Sequence, residues 1–151
     1  MKVRIKKLSQ NAVVPRYAKP GDAGMDLTAV SRCFDECGCI VYGTGLAFEI
    51  PEGYVGLIFP RSSNAKKCLA LTNSVGVIDS GYRGEVMFKF RPLLDFDMAE
   101  TSEYYNSHKI YEVGERVGQI IIVPYPHIEF VESDSLSETE RGEGGFGHTG
   151  V

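Results

Sequence analysis

Nowhere in this chain do ten or more successive residues keep apolar positions at the helical spacing of three and four. That constrains the fold more than any positive feature. Apolar residues alternate instead, in short runs cut by glycine and proline. In "LAFEIPEGYVGLIF" (46–59), Leu46, Phe48 and Ile50 alternate with Ala47 and Glu49. "PEG" supplies a turn, with Pro51 fixing φ and Gly53 tolerating positive φ, so a hairpin is expected. "EVMFKF" (85–90) sets Val86, Phe88 and Phe90 on one face. "RVGQIIIVP" (116–124) reads as a strand buried on both sides, and "VRIKK" as a weaker alternating strand. One short helix is expected after "PRSS", where "SNAKKCLAL" offers two turns with a serine cap. The expected class is all-β, a barrel or a jelly-roll-like sandwich with one short helix.

The 151 residues show no composition break, which predicts a single domain spanning 1–151. Hydrophobic residues make up 43%, enough for a sizeable core. No apolar run approaches the ~18 residues of a membrane span, so no membrane partner is expected. The opening "MKVRIKKLSQ" lacks the apolar stretch of a signal peptide, and a cytoplasmic location is expected. A net charge of −4 argues against a nucleic-acid partner while leaving room for one small anion held by a few local cations. Cys33, Cys37 and Cys39 fall in "CFDECGC", with Cys68 apart. That spacing is not a usual zinc pattern, and His108 is the one candidate for a fourth ligand; reduced thiols on a strand and turn are expected.

The chemistry lies between the strands. In "PRSSNAKK" (60–67), Arg61 offers a planar fork to phosphate oxygens, and Ser62 and Ser63 add hydroxyls. The same residues also describe a capped helix with a solvated arginine. "NSVGVIDSGYRGEV" (73–86) reads as a second hairpin. Asp79 ends the apolar run "VGVI", where a partly shielded carboxylate suits a general base acting on water. Asn73 carries a donor and an acceptor on one amide and suits a base edge offering both. Tyr82 suits a ring lying flat on a sugar. A structural turn, with Asp79 capping amides and Tyr82 as a surface plug, is the alternative.

In "DAGMDLTA" (22–29), Asp26 sits between apolar neighbours and needs a partner, most simply an arginine, unless it is a turn acid. In "GERVGQ" (114–119), Arg116 and Gln119 stand at the entry to a buried strand; Gln119 suits either a phosphate or backbone groups. The last stretch, "RGEGGFGHTG" (141–150), holds five glycines around Phe146. Glycines let a backbone approach a polyanion closely. Arg141 and Thr149 suit phosphate oxygens, and Phe146 suits stacking on a base. Residues 140–151 are thus expected to be a flexible arm, either a lid hinged on glycine or a frayed end.

In this order, "AGMDL", "PRSS", "GVIDSGYRGE", "RVGQ" and "RGEGGFGHTG" resemble the five motifs of the trimeric dUTP pyrophosphatase (dUTPase) family, from residue 23 to residue 150. The resemblance implies a jelly-roll-like (β-clip) subunit that assembles as a homotrimer with shared active sites. It implies hydrolysis of dUTP to dUMP and pyrophosphate, which keeps uracil out of DNA. Asp79 matches the acid that activates the water striking the α-phosphorus. Asn73 matches the uracil reader, and Gly76, Val77, Ile78 and Met87 match the rest of the nucleoside pocket. Tyr82 matches the ring beneath the deoxyribose, where a 2′-hydroxyl would clash. Arg61, Ser62, Ser63 and Gln119 match phosphate contacts. Arg141 and Thr149 match γ-phosphate contacts from the closing arm and Phe146 its stacking ring; Gly147 and His148, between them, are expected to bind substrate as well, the His148 ring by contacting phosphate. Asp26 matches a supporting acid. Mg²⁺ is implied as a cofactor riding on the triphosphate through waters, with no direct protein ligand.

The chain departs from that pattern in three places. Gly81 stands where many relatives have an acid. His148 replaces the usual serine, and its ring would make closure pH-sensitive near neutrality. Residues 93–109, acidic and carrying Tyr104 and Tyr105, form a longer link between the third and fourth motifs, read as a surface loop or a protein-partner insert. Two other functions fit a related fold: a dCTP deaminase-like enzyme, with Glu85 the only extra acid in the third-motif segment, and a dUTP-binding regulatory protein.

Overall fold

The structure, a computed structural model, describes residues 1–93 and 110–145. Among these, β1 (Arg4–Lys7) pairs with β5 (Leu46–Glu49) in a small sheet. A four-stranded sheet runs in the order β2 (Met25–Thr28), β10 (Arg116–Pro124), β6 (Tyr54–Phe59), β8 (Gly76–Ile78). A second runs β3 (Ser31–Phe34), β4 (Ile40–Gly43), β9 (Met87–Pro92), β7 (Leu69–Leu71). Every pairing is antiparallel. The fold is all-β and jelly-roll-like, as the short alternating runs predict.

Alternation places the core. Phe88 and Phe90 of β9 are fully buried while Met87, Lys89 and Arg91 face out. They join Ile40 and Tyr42 of β4, Leu27 of β2, Ile58 of β6 and Val117 and Ile120 of β10 in one apolar cluster between the two larger sheets. Tyr42 meets Phe90 edge-on at 6.0 Å and Tyr111 edge-on at 6.0 Å, a favoured aromatic geometry. The two sheets are in tight contact at Gly118, where an added Cβ would overlap the Phe88 ring.

Both expected hairpins are corners instead. The "PEG" turn forms, with Tyr54 N–H donating to the Pro51 carbonyl at 3.1 Å and Gly53 at φ +80. Yet β5 pairs with β1, and β6 pairs with β10 and β8. Likewise β8 pairs with β6, whereas β9 pairs with β4 and β7, so residues 79–86 cross from one sheet to the other. A turn signal fixes where the chain bends, and periodicity does not say which strand lies alongside. The expected helix is a 3-10 turn, Ser62–Lys66, whose cap position is Arg61 without a side-chain capping bond. It stops at extended Lys67 because Leu69 and Leu71 belong to β7, buried against β9 with period two. β10 is central as expected, but only Val117, Gly118 and Ile120 are buried; Ile121–Val123 are half-buried.

Candidate functional site

One row of the β2-β10-β6-β8 sheet gathers three of the motifs. Asp26 of β2 pairs with Gln119 of β10, which pairs on its other side with Phe59 of β6. The chain then runs from Phe59 through Pro60 to Arg61. Asp26 Oδ1 accepts Arg61 Nε at 2.7 Å, and its Oδ2 accepts Arg116 Nη1 at 2.9 Å. The partner expected for this carboxylate is therefore present twice. Arg61 Nη1 also donates to Ser63 Oγ at 3.1 Å, which fixes the guanidinium beside the serine hydroxyls. Gln119 Nε2 donates to the Pro60 carbonyl at 3.0 Å. Its amide lies so close to Gly24 that a Cβ there would overlap Oε1, so the glycine is a packing requirement.

A scaffold beneath this seat escapes sequence reasoning. Asn64 Nδ2 donates to the Leu69 carbonyl at 2.9 Å, and Tyr111 OH donates to Asn64 Oδ1 at 3.2 Å. Lys67 Nζ donates to the Ile110 carbonyl at 2.8 Å and lies 4.8 Å from the Tyr111 ring centroid. Burial raises the Tyr111 hydroxyl above its ordinary pKa, opposed by its hydrogen bond with Ser63. Only the tertiary fold brings Tyr111 and Lys67, 44 positions apart in sequence, together. Arg116 was visible at the entry to β10, but its attachment to Asp26 was not.

A second group surrounds β8. Gly76 lies flat against Ile58, where a Cβ would overlap that side chain and stand 3.4 Å from Asn73 Nδ2. Val77, Met87 and Tyr82 are exposed, at 61%, 48% and 41%, an apolar surface left uncovered among the described residues. Asp79 is exposed as well, contrary to the expected shielding. β8 is an edge strand, and "VGVI" turns Val77 outward, so the apolar run does not wrap the carboxylate. Tyr82 N–H donates to the Asp79 carbonyl at 3.1 Å, and Arg83 Nη1 caps the turn through the Ser80 carbonyl at 2.6 Å.

The two groups do not meet within one copy. Ile78 pairs with Gly56 near the start of β6, so Asp79 lies level with Val55 at the start of that strand, while Arg61 lies beyond its end. At the rise of an extended strand the six intervening steps separate Asp79 from Arg61 by about 20 Å. Arg141 belongs to neither group. It sits on an exposed turn, its Nε donating to the Gly144 carbonyl at 3.0 Å. Phe146, Gly147, His148 and Thr149 lie outside the described residues, as do His108 and nearly all of the 93–109 segment.

The cysteines are free: Cys33 and Cys37 are exposed, Cys39 is buried and Cys68 is intermediate. The Cys37 and Cys39 amides both donate to Asp35 Oδ1 at 2.9 Å, and Lys89 pairs with Oδ2. The Lys89 ammonium holds the Asp35 carboxyl below its ordinary pKa and is itself raised by it. Among the described residues no three His, Cys, Asp or Glu side chains gather to hold a metal ion. No helix there is long and apolar enough to cross a membrane.

Comparison with known proteins adds three findings. A family model described as dUTPase matches residues 10–150. A deoxyuridine 5′-triphosphate nucleotidohydrolase of Hydrogenobaculum sp. (strain Y04AAS1) is 41% identical over 157 residues, covering 100% of this chain and 99% of that protein. A structure of the Staphylococcus bacteriophage 80alpha dUTPase with dUpNHpp superposes with a TM-score of 0.84 at 31% identity, covering 99% of both chains.

Proposed function

Because this chain belongs to the dUTPase family, we propose that it hydrolyses dUTP to dUMP and pyrophosphate through the two groups of residues just described, supplied by different copies of the chain. The separation along β6 carries this division. An attacking water must sit about 3 Å from both its base and the phosphorus. A triphosphate on Arg61 is out of reach of Asp79 in the same copy and within reach only of a neighbour's. The exposed apolar faces of Val77, Tyr82 and Met87 support the same reading, since a second copy would cover them. A homotrimer with shared sites is the assembly we propose, in the cytoplasm.

In that arrangement Asn73 reads the uracil edge, aided by the backbone of Gly76–Asp79 and Met87, and Tyr82 underlies the deoxyribose. Arg61, Ser62, Ser63 and Gln119 hold phosphate oxygens, with Asp26 fixing the Arg61 guanidinium. Asp79 takes the proton of the water that attacks the α-phosphorus. The glycine arm brings Arg141 and Thr149 to the γ-phosphate, with Phe146 stacked on the base and Gly147 and His148 beside it. Closure excludes bulk water and strengthens each charge contact.

Mg²⁺ fits as an ion carried by the substrate. Asp26, the acid at the phosphate seat, already holds two guanidiniums. That suits an ion which keeps several waters and binds phosphate oxygens. When bound, it supplies neutralising charge to the triphosphate.

The other two readings are not favoured. The relative named as a hydrolase aligns over the whole chain. Glu85, the acid a deaminase reading would need, gives Oε1 to the Gly45 amide at 2.6 Å. Hydrolysis of dUTP in ¹⁸O-water, with dTTP, dCTP and UTP as controls, tests the proposal. Label is expected in dUMP; label in pyrophosphate, or ammonia released from dCTP, would overturn it.

A further inference from the structure

Tyr82 depends on contacts with the last two residues of the third motif, Gly84 and Glu85, to which the proposed reaction assigns no role. Its hydroxyl donates to the Glu85 carbonyl at 3.0 Å. Its ring packs so tightly on Gly84 that a Cβ there would stand 2.9 Å from Cε2 and overlap the neighbouring ring atoms. The ring position is therefore set by the backbone of residues 84 and 85.

That backbone is tied to the turn between β4 and β5. The half-buried Glu85 side chain accepts the Gly45 amide through Oε1 at 2.6 Å. Gly45 offers the amide from φ +66, a conformation that favours glycine. The same carboxylate occupies the space beside Gly43, where a Cβ would stand 2.6 Å from Oε1. Val86 makes independent attachments to this turn. Its carbonyl accepts Thr44 Oγ1 at 2.6 Å, and its N–H donates to the Leu46 carbonyl at 2.9 Å. Val86 and Thr44 are fully buried. Removing the Glu85 carboxylate thus leaves β9 attached and frees only the segment that carries Tyr82.

We infer that Glu85 is a positioning residue for Tyr82 and, through it, a determinant of discrimination between deoxyribo- and ribonucleotides. The inference rests on the reading that the Tyr82 ring underlies the deoxyribose. Mechanically, a ring held at van der Waals distance rejects an added 2′-hydroxyl, and a ring free to shift by a fraction of an ångström admits it.

The test compares Glu85→Ala and Glu85→Gln in wild-type and Tyr82→Phe backgrounds, reading kcat/KM for dUTP and for UTP. Glu85→Ala is expected to lower the dUTP/UTP ratio by about tenfold, the scale of one lost part-buried hydrogen bond to a charged group. Glu85→Gln, whose amide oxygen accepts the same Gly45 N–H, is expected to restore most of the ratio. In the Tyr82→Phe background the alanine effect should shrink, because the ring has already left the residue 85 carbonyl. An unchanged ratio in folded Glu85→Ala and Glu85→Gln, or an equal loss in both backgrounds, overturns the inference. Failure of the wild type to hydrolyse dUTP would instead remove the functional reading beneath it.

Discussion

Asp26 and Arg61 meet through a 2.7 Å contact between Oδ1 and Nε, with their side chains only 27% and 24% exposed. Oδ2 of the same acid turns to Arg116. Asp26 thereby keeps two like charges side by side and aims one of them at the phosphate seat. Asp26→Asn retains the shape and removes the charge. After a discount for partial solvent screening, the loss is about 1 kcal/mol, or roughly fivefold in dUTP affinity. Steady-state kinetics should show it in KM, with kcat much less affected. A fall confined to kcat would place Asp26 in the chemical step.

Asp79→Asn preserves the turn, since the bond at that residue uses its backbone carbonyl rather than its carboxyl group. Turnover of dUTP should fall by about 10²- to 10⁴-fold, the usual contribution of a positioned general base. Binding of a non-hydrolysable dUTP analogue, measured by calorimetry, should change by only a few-fold.

The placement of Asp79 and Arg61 at opposite ends of β6 gives a complementation test. Asp79→Asn and Arg61→Ala chains should each be inactive alone. Unfolded together and refolded as mixed assemblies, they should recover about a quarter of wild-type activity, the fraction of shared sites that combine one intact residue from each of two different copies. No recovery would mean that both residues act within one chain.

How far these residues could be read beforehand differs from one to the next. The Asp26 carboxylate points to an arginine partner or to a turn, because a charge among apolar neighbours is costly alone, and the structure supplies two arginines. Which arginine was not legible, because Asp26, Phe59 and Gln119 become neighbours only through strand pairing across the chain. The same limit explains the two corners taken for hairpins. Glycine and proline chemistry is local, whereas ladder partners are chosen by long-range packing. The short helix failed for a related reason. "SNAKKCLAL" has fair helical propensity, but burying Leu69 and Leu71 against β9 outweighs a preference of a few tenths of a kcal/mol per residue. The shielding expected for Asp79 was inferred from its apolar neighbours, and an edge strand turns one of those neighbours outward.

Tyr42 makes stability sensitive to alkali. Burial pushes its pKa from 10.0 up to about 12, although the Tyr111 N–H donates to its oxygen at 3.1 Å and favours the phenolate. Between these values the unfolded chain has lost the proton and the folded chain still holds it. The unfolded state then binds fewer protons, so stability falls as pH rises through that window. Below pH 10.0 the contribution is fully present. Tyr42→Phe should flatten this alkaline limb in urea titrations. At neutral pH it should cost about 1–3 kcal/mol, because the Tyr111 N–H and carbonyl lose their buried partner.

Gly118 of β10 and Phe88 of β9 form a tight contact between the two larger sheets. A methyl group on Gly118 would overlap the ring, and the ring cannot retreat because Phe88 is fully buried among Phe90 and the β10 side chains. Gly118→Ala should therefore destabilise the fold by about 1–3 kcal/mol through overpacking, with a lower urea midpoint at unchanged slope. Phe88→Leu alone should also destabilise, by leaving a void. Together the two changes compensate, since the smaller side chain vacates the volume the new methyl needs. The double variant should be more stable than the sum of the single losses implies. Strict additivity of the two midpoint shifts would show that the backbone moves at Gly118 instead, and that the sheets are not in rigid contact at this point.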